Sequence, residues 1–279
     1  MNFQKFKNIK IVQMFYIFIS LFLVMNFGSS FIFNTQLLSV YRKIVKNHPP
    51  QFDPFEHRKL IITTPGGLNG FYLLGINSYI KQNYNLTNFV FSGASAGAWN
   101  SLFLSHKGND SQFLETIFHP SIYNVTSIYQ IEKNIKFAIL NNYNTTDFDL
   151  NKIYIGVGTL TPRSFFKLVI YNDFFNLEDI LDCCIASSHI PFITGGIFHF
   201  YRKKISFDGG IYSYPYLTSI NPSLMVNPSL WNSSLMFSSN CTLINILNTG
   251  NTSVDVNELF SLGYNDSLAN KGILDSIFL

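Results

Sequence analysis

A serine hydroxyl becomes an acyl-transfer nucleophile when a sharp turn lifts it clear of the backbone and a base stands within hydrogen-bond reach. Gly93-Ala94-Ser95-Ala96-Gly97 has the composition for such a turn, with small residues two before and two after the serine. The apolar run Asn88-Phe89-Val90-Phe91 precedes it and the helix-like Ala98-Trp99-Asn100-Ser101-Leu102-Phe103-Leu104 follows. The pattern is strand, turn, helix, and it makes Ser95 the candidate nucleophile.

Two further segments supply what the serine needs. Leu60-Ile61-Ile62-Thr63-Thr64 reads as a short buried strand and runs into Pro65-Gly66-Gly67-Leu68-Asn69-Gly70. A glycine-rich turn opening a helix exposes backbone N–H groups at the positive end of the helix dipole, which suits an oxyanion as well as a phosphate. Downstream, Lys204-Ile205-Ser206-Phe207 predicts a strand ending in Asp208-Gly209-Gly210. The carboxyl ends of strands in an open α/β sheet gather functional groups, so Asp208 is expected in the same crevice as Ser95.

These segments, with Ala186-Ser187-Ser188-His189-Ile190-Pro191-Phe192 between the last two, stand in an order that resembles the patatin-like phospholipase family over about residues 60 to 220. The resemblance implies a three-layer α/β/α fold with a mostly parallel central sheet. It also implies hydrolysis of phospholipid, galactolipid or acylglycerol esters by a serine–aspartate dyad without histidine, metal or cofactor. By position, Ser95 is then the nucleophile, Asp208 the base, and the N–H groups of Gly66, Gly67 and Leu68 the oxyanion donors. Gly70, Gly93, Gly97, Gly209 and Gly210 complete the motifs, and Gly75 is implied to let the first helix pack closely on the sheet. The chain departs from the pattern at Pro65, where the family usually has glycine, and at Asn69, where it has Lys or Arg. Proline offers no N–H and asparagine no charge, so a differently shaped hole is expected.

Two other readings stay open on the residues. Ser95 with Asp173 or Asp182 and His199 follows the chain order of an α/β-hydrolase triad. A membrane-tethered lipid-binding protein that has lost turnover is the reading that Pro65 and Asn69 favour.

The first 40 residues carry a separate signal. No charged residue lies between Lys10 and Arg42, and the apolar stretch from Ile11 to Phe33 is long enough to span a bilayer, which takes about 20 residues. An uncleaved anchor is expected over residues 1–40. A cleaved signal peptide, with Lys5, Lys7 and Lys10 ahead of its core and Gly28-Ser29-Ser30 as its cleavage site, is the rival. Lys5, Lys7 and Lys10 balance Arg42, Lys43 and Lys46, so orientation is left undecided.

Cys183, Cys184 and Cys241 do not make a disulfide framework. They lean mildly towards a catalytic domain on the reducing, cytoplasmic side. Against this, Asn85, Asn124, Asn144, Asn232 and Asn251 open glycosylation acceptor triplets. The formal charge of +3 over 279 residues is too small and scattered for a nucleic-acid partner, and membrane lipid is the partner expected.

Beyond the anchor the reading gives one α/β catalytic domain at residues 55–220 and an extension of unknown role at 221–279. Strands are expected over Leu60 to Thr64, Phe89 to Ser92, Lys152 to Thr159 and Lys204 to Phe207. Helices are expected over Gly70 to Gln82, Ala96 to Leu104, Ser111 to Ile117, Ser127 to Asn141 and Leu177 to Ser187, the last capped near Asn176. This alternation implies a largely parallel sheet covered on both faces. Asn221 to Asn240, with Pro222 and Pro228, reads as linker or loop.

Overall fold

A computed structural model describes residues 58–123, 125, 127–160, 166–231 and 255–279 of the chain. The expected anchor, Cys241 and residues 232–240 of the Asn221 to Asn240 segment lie outside the described residues. The strands are β1 (Lys59–Thr63), β2 (Phe89–Gly93), β3 (Ile153–Leu160), β4 (Lys167–Tyr171), β5 (His199–Tyr201), β6 (Lys204–Phe207) and β7 (Pro222–Val226). The helices are α1 (Gly70–Asn83), α2 (Ala96–Ser105), α3 (Asp110–Ile117), α4 (Pro120–Tyr123), α5 (Ile128–Asn142), α6 (Leu177–Ser187), α7 (Val256–Ala269) and α8 (Lys271–Phe278).

β2 is buried along its whole length and β1 at every residue but Lys59, the continuous apolar pattern of strands covered on both faces. β7, β1, β2 and β3 pair in parallel, with α1 between β1 and β2 and α2 to α5 between β2 and β3, as parallel neighbours require. The other half of the sheet is antiparallel: β4 and β6 both run against β3, and β5 forms a hairpin with β6. The sheet is therefore mixed rather than largely parallel. β5 turns back into β6 through Arg202 and Lys203, and only six residues separate β3 from β4, fewer than the dozen or so that a parallel crossover needs.

The register has one consequence for the site. Ile155 pairs with both β2 and β4, and Gly158 pairs with both β4 and β6. A residue has one partner on each edge, so β2 and β6 share a single edge of β3. They approach one another from opposite ends, and their carboxyl termini meet head to head.

Ile61, Phe91, Ile153, Ile155 and Val157 face one side of the sheet and pack against α1, α2 and α6 through Leu73, Ile76, Ala98, Leu102 and Ile180. Leu60, Ile62, Val90 and Tyr154 face the other side. Among the described residues that side is covered by Tyr216 and Leu217, from the segment after β6. Removing a fully buried ring such as Phe91 from such a core typically costs about 3–5 kcal/mol.

Side-chain caps lock several helices, and the one at Asn176 is where the sequence expects it. Asn109 receives the N–H groups of Ser111 and Gln112, Ser127 that of Gln130, and Asn176 that of Asp179.

The structure corrects two further readings of the sequence. The segment from Asn221 opens as a strand, with Pro222, which has no N–H to donate, at the first residue of an edge strand. Gly75 packs on α7 rather than on the sheet: a Cβ there would lie 2.0 Å from the Phe260 carbonyl oxygen, and one on Gly263 would lie 2.0 Å from that of Tyr72. The two glycines let α1 and α7 cross at backbone contact, with the Tyr72 hydroxyl donating to Asp266 at 2.7 Å. No helix among the described residues is long and apolar enough to cross a membrane.

Candidate active site

β2 ends at Gly93 and α2 begins at Ala96, which leaves Ser95 as the corner between them. Its backbone sits at φ 55° and ψ −127°, a conformation that a residue with a Cβ adopts only under strain. The turn is possible because nothing larger than hydrogen fits on either side. A Cβ on Gly93 would lie 2.1 Å from the Gly97 carbonyl oxygen, and one on Gly97 would lie 1.9 Å from that of Thr63. The Ser95 N–H, which the corner turns away from regular pairing, donates to Ser187 Oγ at 2.8 Å. Ser187 Oγ in turn donates to the Gly156 carbonyl at 2.7 Å, so α6 and β3 together brace the corner.

The head-to-head meeting of β2 and β6 brings the second residue in. Ser95 Oγ donates to Asp208 Oδ2 at 2.8 Å, and both residues are only 6% exposed. Asp208 Oδ1 accepts the Gly210 N–H at 2.6 Å, and the Asp208 N–H donates to the His189 carbonyl at 2.8 Å. The carboxylate is thus held at both oxygens. Burial pushes its pKa up to about 6, against the lowering effect of the hydrogen bonds from Ser95 and Gly210. At pH 7 it is mainly ionised, yet more basic than an exposed aspartate.

The glycine-rich segment lies against both. Gly67 takes φ 54° and opens a 3-10 turn, Gly67–Asn69, that continues into α1. A Cβ on Gly70 would lie 2.7 Å from the Ala96 Cβ, and one on Gly210 would lie 2.9 Å from the Pro65 ring. Pro65 therefore packs on the Asp208 turn. The first N–H groups of a helical turn have no partner within it, and no described residue accepts from those of Gly66, Gly67 or Leu68.

A buried amide pair fixes this segment to the corner. Asn100 Nδ2 donates to the carbonyls of Gly70 at 3.1 Å and Ala96 at 3.0 Å. Asn77 Nδ2 donates to Asn100 Oδ1 at 2.9 Å and to Thr63 Oγ1 at 3.2 Å.

The structure does not assemble the alternative triad. Ser95 Oγ is committed to Asp208. The His199 ring lies 5.4 Å from that of His189, Asp173 pairs with Arg202 at 2.8 Å, and Asp182 pairs with Lys136 at 2.6 Å. His189 is buried beside the site with no partner for Nε2, and burial lowers its pKa to about 4, so the ring is neutral at pH 7.

Four residues near the site escaped sequence reasoning. Ser187 belongs to the Ala186 to Phe192 motif but has no role there that its type reveals, and Asn77 and Asn100 are polar residues on otherwise apolar helix faces. The fourth is Glu132 of α5, which burial pushes up to about 8 against the lowering effect of nearby Ser188 and Trp99, and whose Oε2 is buried without a hydrogen-bond partner among the described residues. It is a neutral carboxyl close enough to feel the charge of Asp208. Cys183 and Cys184 are free and fully buried, inert packing residues whose thiols burial holds well above the ordinary range. Among the described residues no cluster of three His, Cys, Asp or Glu side chains offers a metal site. No family model matches this chain, and no curated protein matches it.

Proposed function

We propose that this chain is a lipid acyl hydrolase that cleaves carboxylic esters of phospholipids or acylglycerols with a Ser95–Asp208 dyad, as its resemblance to the patatin-like phospholipases implies. One observation carries the reading: the strained Ser95 hydroxyl donates at 2.8 Å to a buried carboxylate whose pKa lies near 6. Serine has no tendency to occupy such a corner unless the surrounding structure forces it, and such strain collects at functional sites.

In the reaction Ser95 Oγ attacks the ester carbonyl carbon and its proton passes to Asp208 Oδ2. The carbonyl oxygen becomes an oxyanion facing the N–H groups of Gly66, Gly67 and Leu68. Collapse breaks the bond to the alcohol oxygen, which leaves with the proton from Asp208. Water then attacks the acyl-enzyme, Asp208 takes its proton, and the fatty acid departs as the proton returns to Ser95. The raised pKa of Asp208 suits it to both transfers near neutrality. The expected apolar segment of residues 11–33 would tether the domain to the bilayer that holds its substrate. The three-layer form of the fold belongs to the same proposal.

Labelling by a fluorophosphonate probe, on the full chain in detergent, tests the reading. Wild type and His199→Ala should label, and Ser95→Ala and Asp208→Asn should not. Dependence on His199 would favour the triad esterase. A folded wild type that takes no label would leave lipid binding without turnover.

A further inference from the structure

Four large apolar side chains stand in solvent within nine consecutive residues: Phe192 is 66% exposed, Ile197 47%, Phe198 47% and Phe200 62%. They belong to the segment that leaves the site. The His189 carbonyl receives the Asp208 N–H, Thr194 closes the turn from Ile190 by donating to the Ser188 carbonyl, and β5 begins at His199. The hairpin that follows has Arg202 and Lys203 at its tip, with φ 45° and 61°. Asn and Gly ordinarily fill such positions, because a longer side chain is strained there. Phe192 also has a positive φ, 67°, which is an outlier for a bulky residue.

Three of the four strained non-glycine residues among the described ones thus lie in this segment, and the fourth is Ser95. Backbone strain of this kind persists where the protein needs a side chain aimed in one direction. Arg202 is consumed in holding the tip, through Asp173 at 2.8 Å, Asp179 at 2.6 Å and the Phe175 ring at 4.7 Å. Lys203 is left exposed next to it. Exposed aromatic and aliphatic side chains with an exposed cation close to them in the chain match a bilayer surface, where rings sit at headgroup depth and lysine meets phosphate.

We propose that residues 192–203 form the element by which this chain enters a lipid surface. Phe192, Ile197, Phe198 and Phe200 penetrate the acyl boundary, and Lys203 contacts an anionic headgroup. Because the chain leading into the segment is hydrogen-bonded to Asp208 through the His189 carbonyl, seating it would bring the ester-bearing layer to the Ser95 crevice. The use made of docking rests on the acyl-hydrolase reading; the docking itself does not.

The test uses the full chain in vesicles of phosphatidylcholine and phosphatidylglycerol, in a Cys241→Ser background whose remaining thiols are buried. An environment-sensitive fluorophore is attached through Phe192→Cys, Phe198→Cys or, as an exposed apolar control, Leu279→Cys. Labels at 192 and 198 should shift to the blue and be quenched by doxyl-labelled lipid, the label at 279 should not, and Lys203→Glu should weaken quenching in anionic vesicles. Labels at 192 and 198 that stay unquenched, as they would under a protein partner, overturn the proposal.

The double variant Phe192→Ser/Phe198→Ser should release fatty acid from vesicle lipid about tenfold more slowly per phenylalanine removed. Its labelling by the small fluorophosphonate should be unchanged. Equal loss of both would mean that the rings shape the crevice, and would also overturn the proposal. Quenching without any fluorophosphonate labelling would leave the docking standing and remove the hydrolase reading.

Discussion

Replacing Ser95 by alanine or by glycine removes the same hydroxyl and leaves Asp208 without the same donor, so the difference between the two variants isolates the backbone. At φ 55° and ψ −127° the alanine Cβ retains the strain of the native corner, taken near the upper end of about 1–3 kcal/mol. Glycine relieves it, since the mirror-image β region is open to it. Two effects oppose the relief. Glycine's freer unfolded chain costs about 0.4–1 kcal/mol, and the lost burial of one methyl costs about 0.8 kcal/mol. Relief wins by about 1 kcal/mol, which for a domain of this size raises the melting temperature of Ser95→Gly above that of Ser95→Ala by about 2–4 °C. The assay is thermal unfolding of the full chain in one detergent, with both variants confirmed inactive towards the probe. An alanine variant that melts at or above the glycine variant would refute the claim that the corner is strained, and with it the argument that the fold holds Ser95 in place at a cost for the sake of its chemistry.

Three further outcomes follow from the geometry. Ser187→Ala strips partners from the buried Ser95 N–H and Gly156 carbonyl, at about 1–3 kcal/mol each; a clear drop in melting temperature and slower labelling are expected, and a variant that behaves as wild type would show that Ser187 braces nothing. Labelling needs ionised Asp208, so its rate should rise with pH and reach half its plateau near pH 6, and a limb near pH 4 would mean that burial does not perturb the carboxyl. Glu132 is raised from 4.5 to about 8, so its neutral form contributes stability that is fully present below pH 4.5 and is lost as pH rises through 8. Glu132→Gln should therefore gain on wild type between pH 4.5 and pH 8, by up to about 5 kcal/mol over that window, since each tenfold change in proton affinity is worth about 1.4 kcal/mol. Denaturant midpoints with the same pH slope in both proteins would refute the buried neutral carboxyl.

Much of the site is local and therefore legible. Gly93 and Gly97 are needed within two residues of Ser95, because the carbonyls that exclude a Cβ belong to the same turn or to the adjoining β1. Asn176 caps α6 through its own first turn. The strand β7 was hidden because its strand character comes from pairing with β1, more than 150 residues earlier, and not from its proline- and serine-containing sequence. Gly75 was misread for a related reason: a glycine announces close approach but not to what, and α7 supplies the answer from the far end of the chain.

The sequence by itself marked the candidate nucleophile, its turn, the glycine-rich segment and the aspartate that ends a strand, since each is written in neighbours within a few residues. Only the tertiary structure decided that they meet. Asp208 was expected beside Ser95 because parallel strands end together, whereas β6 runs antiparallel and reaches Ser95 by sharing an edge of β3 with β2. The strain at Ser95, its Ser187 brace, the pKa of Asp208 near 6 and the solvent-facing rings from Phe192 to Phe200 likewise depend on what lies across space. Burial, pairing and desolvation are properties of the packed chain, and no single segment carries them.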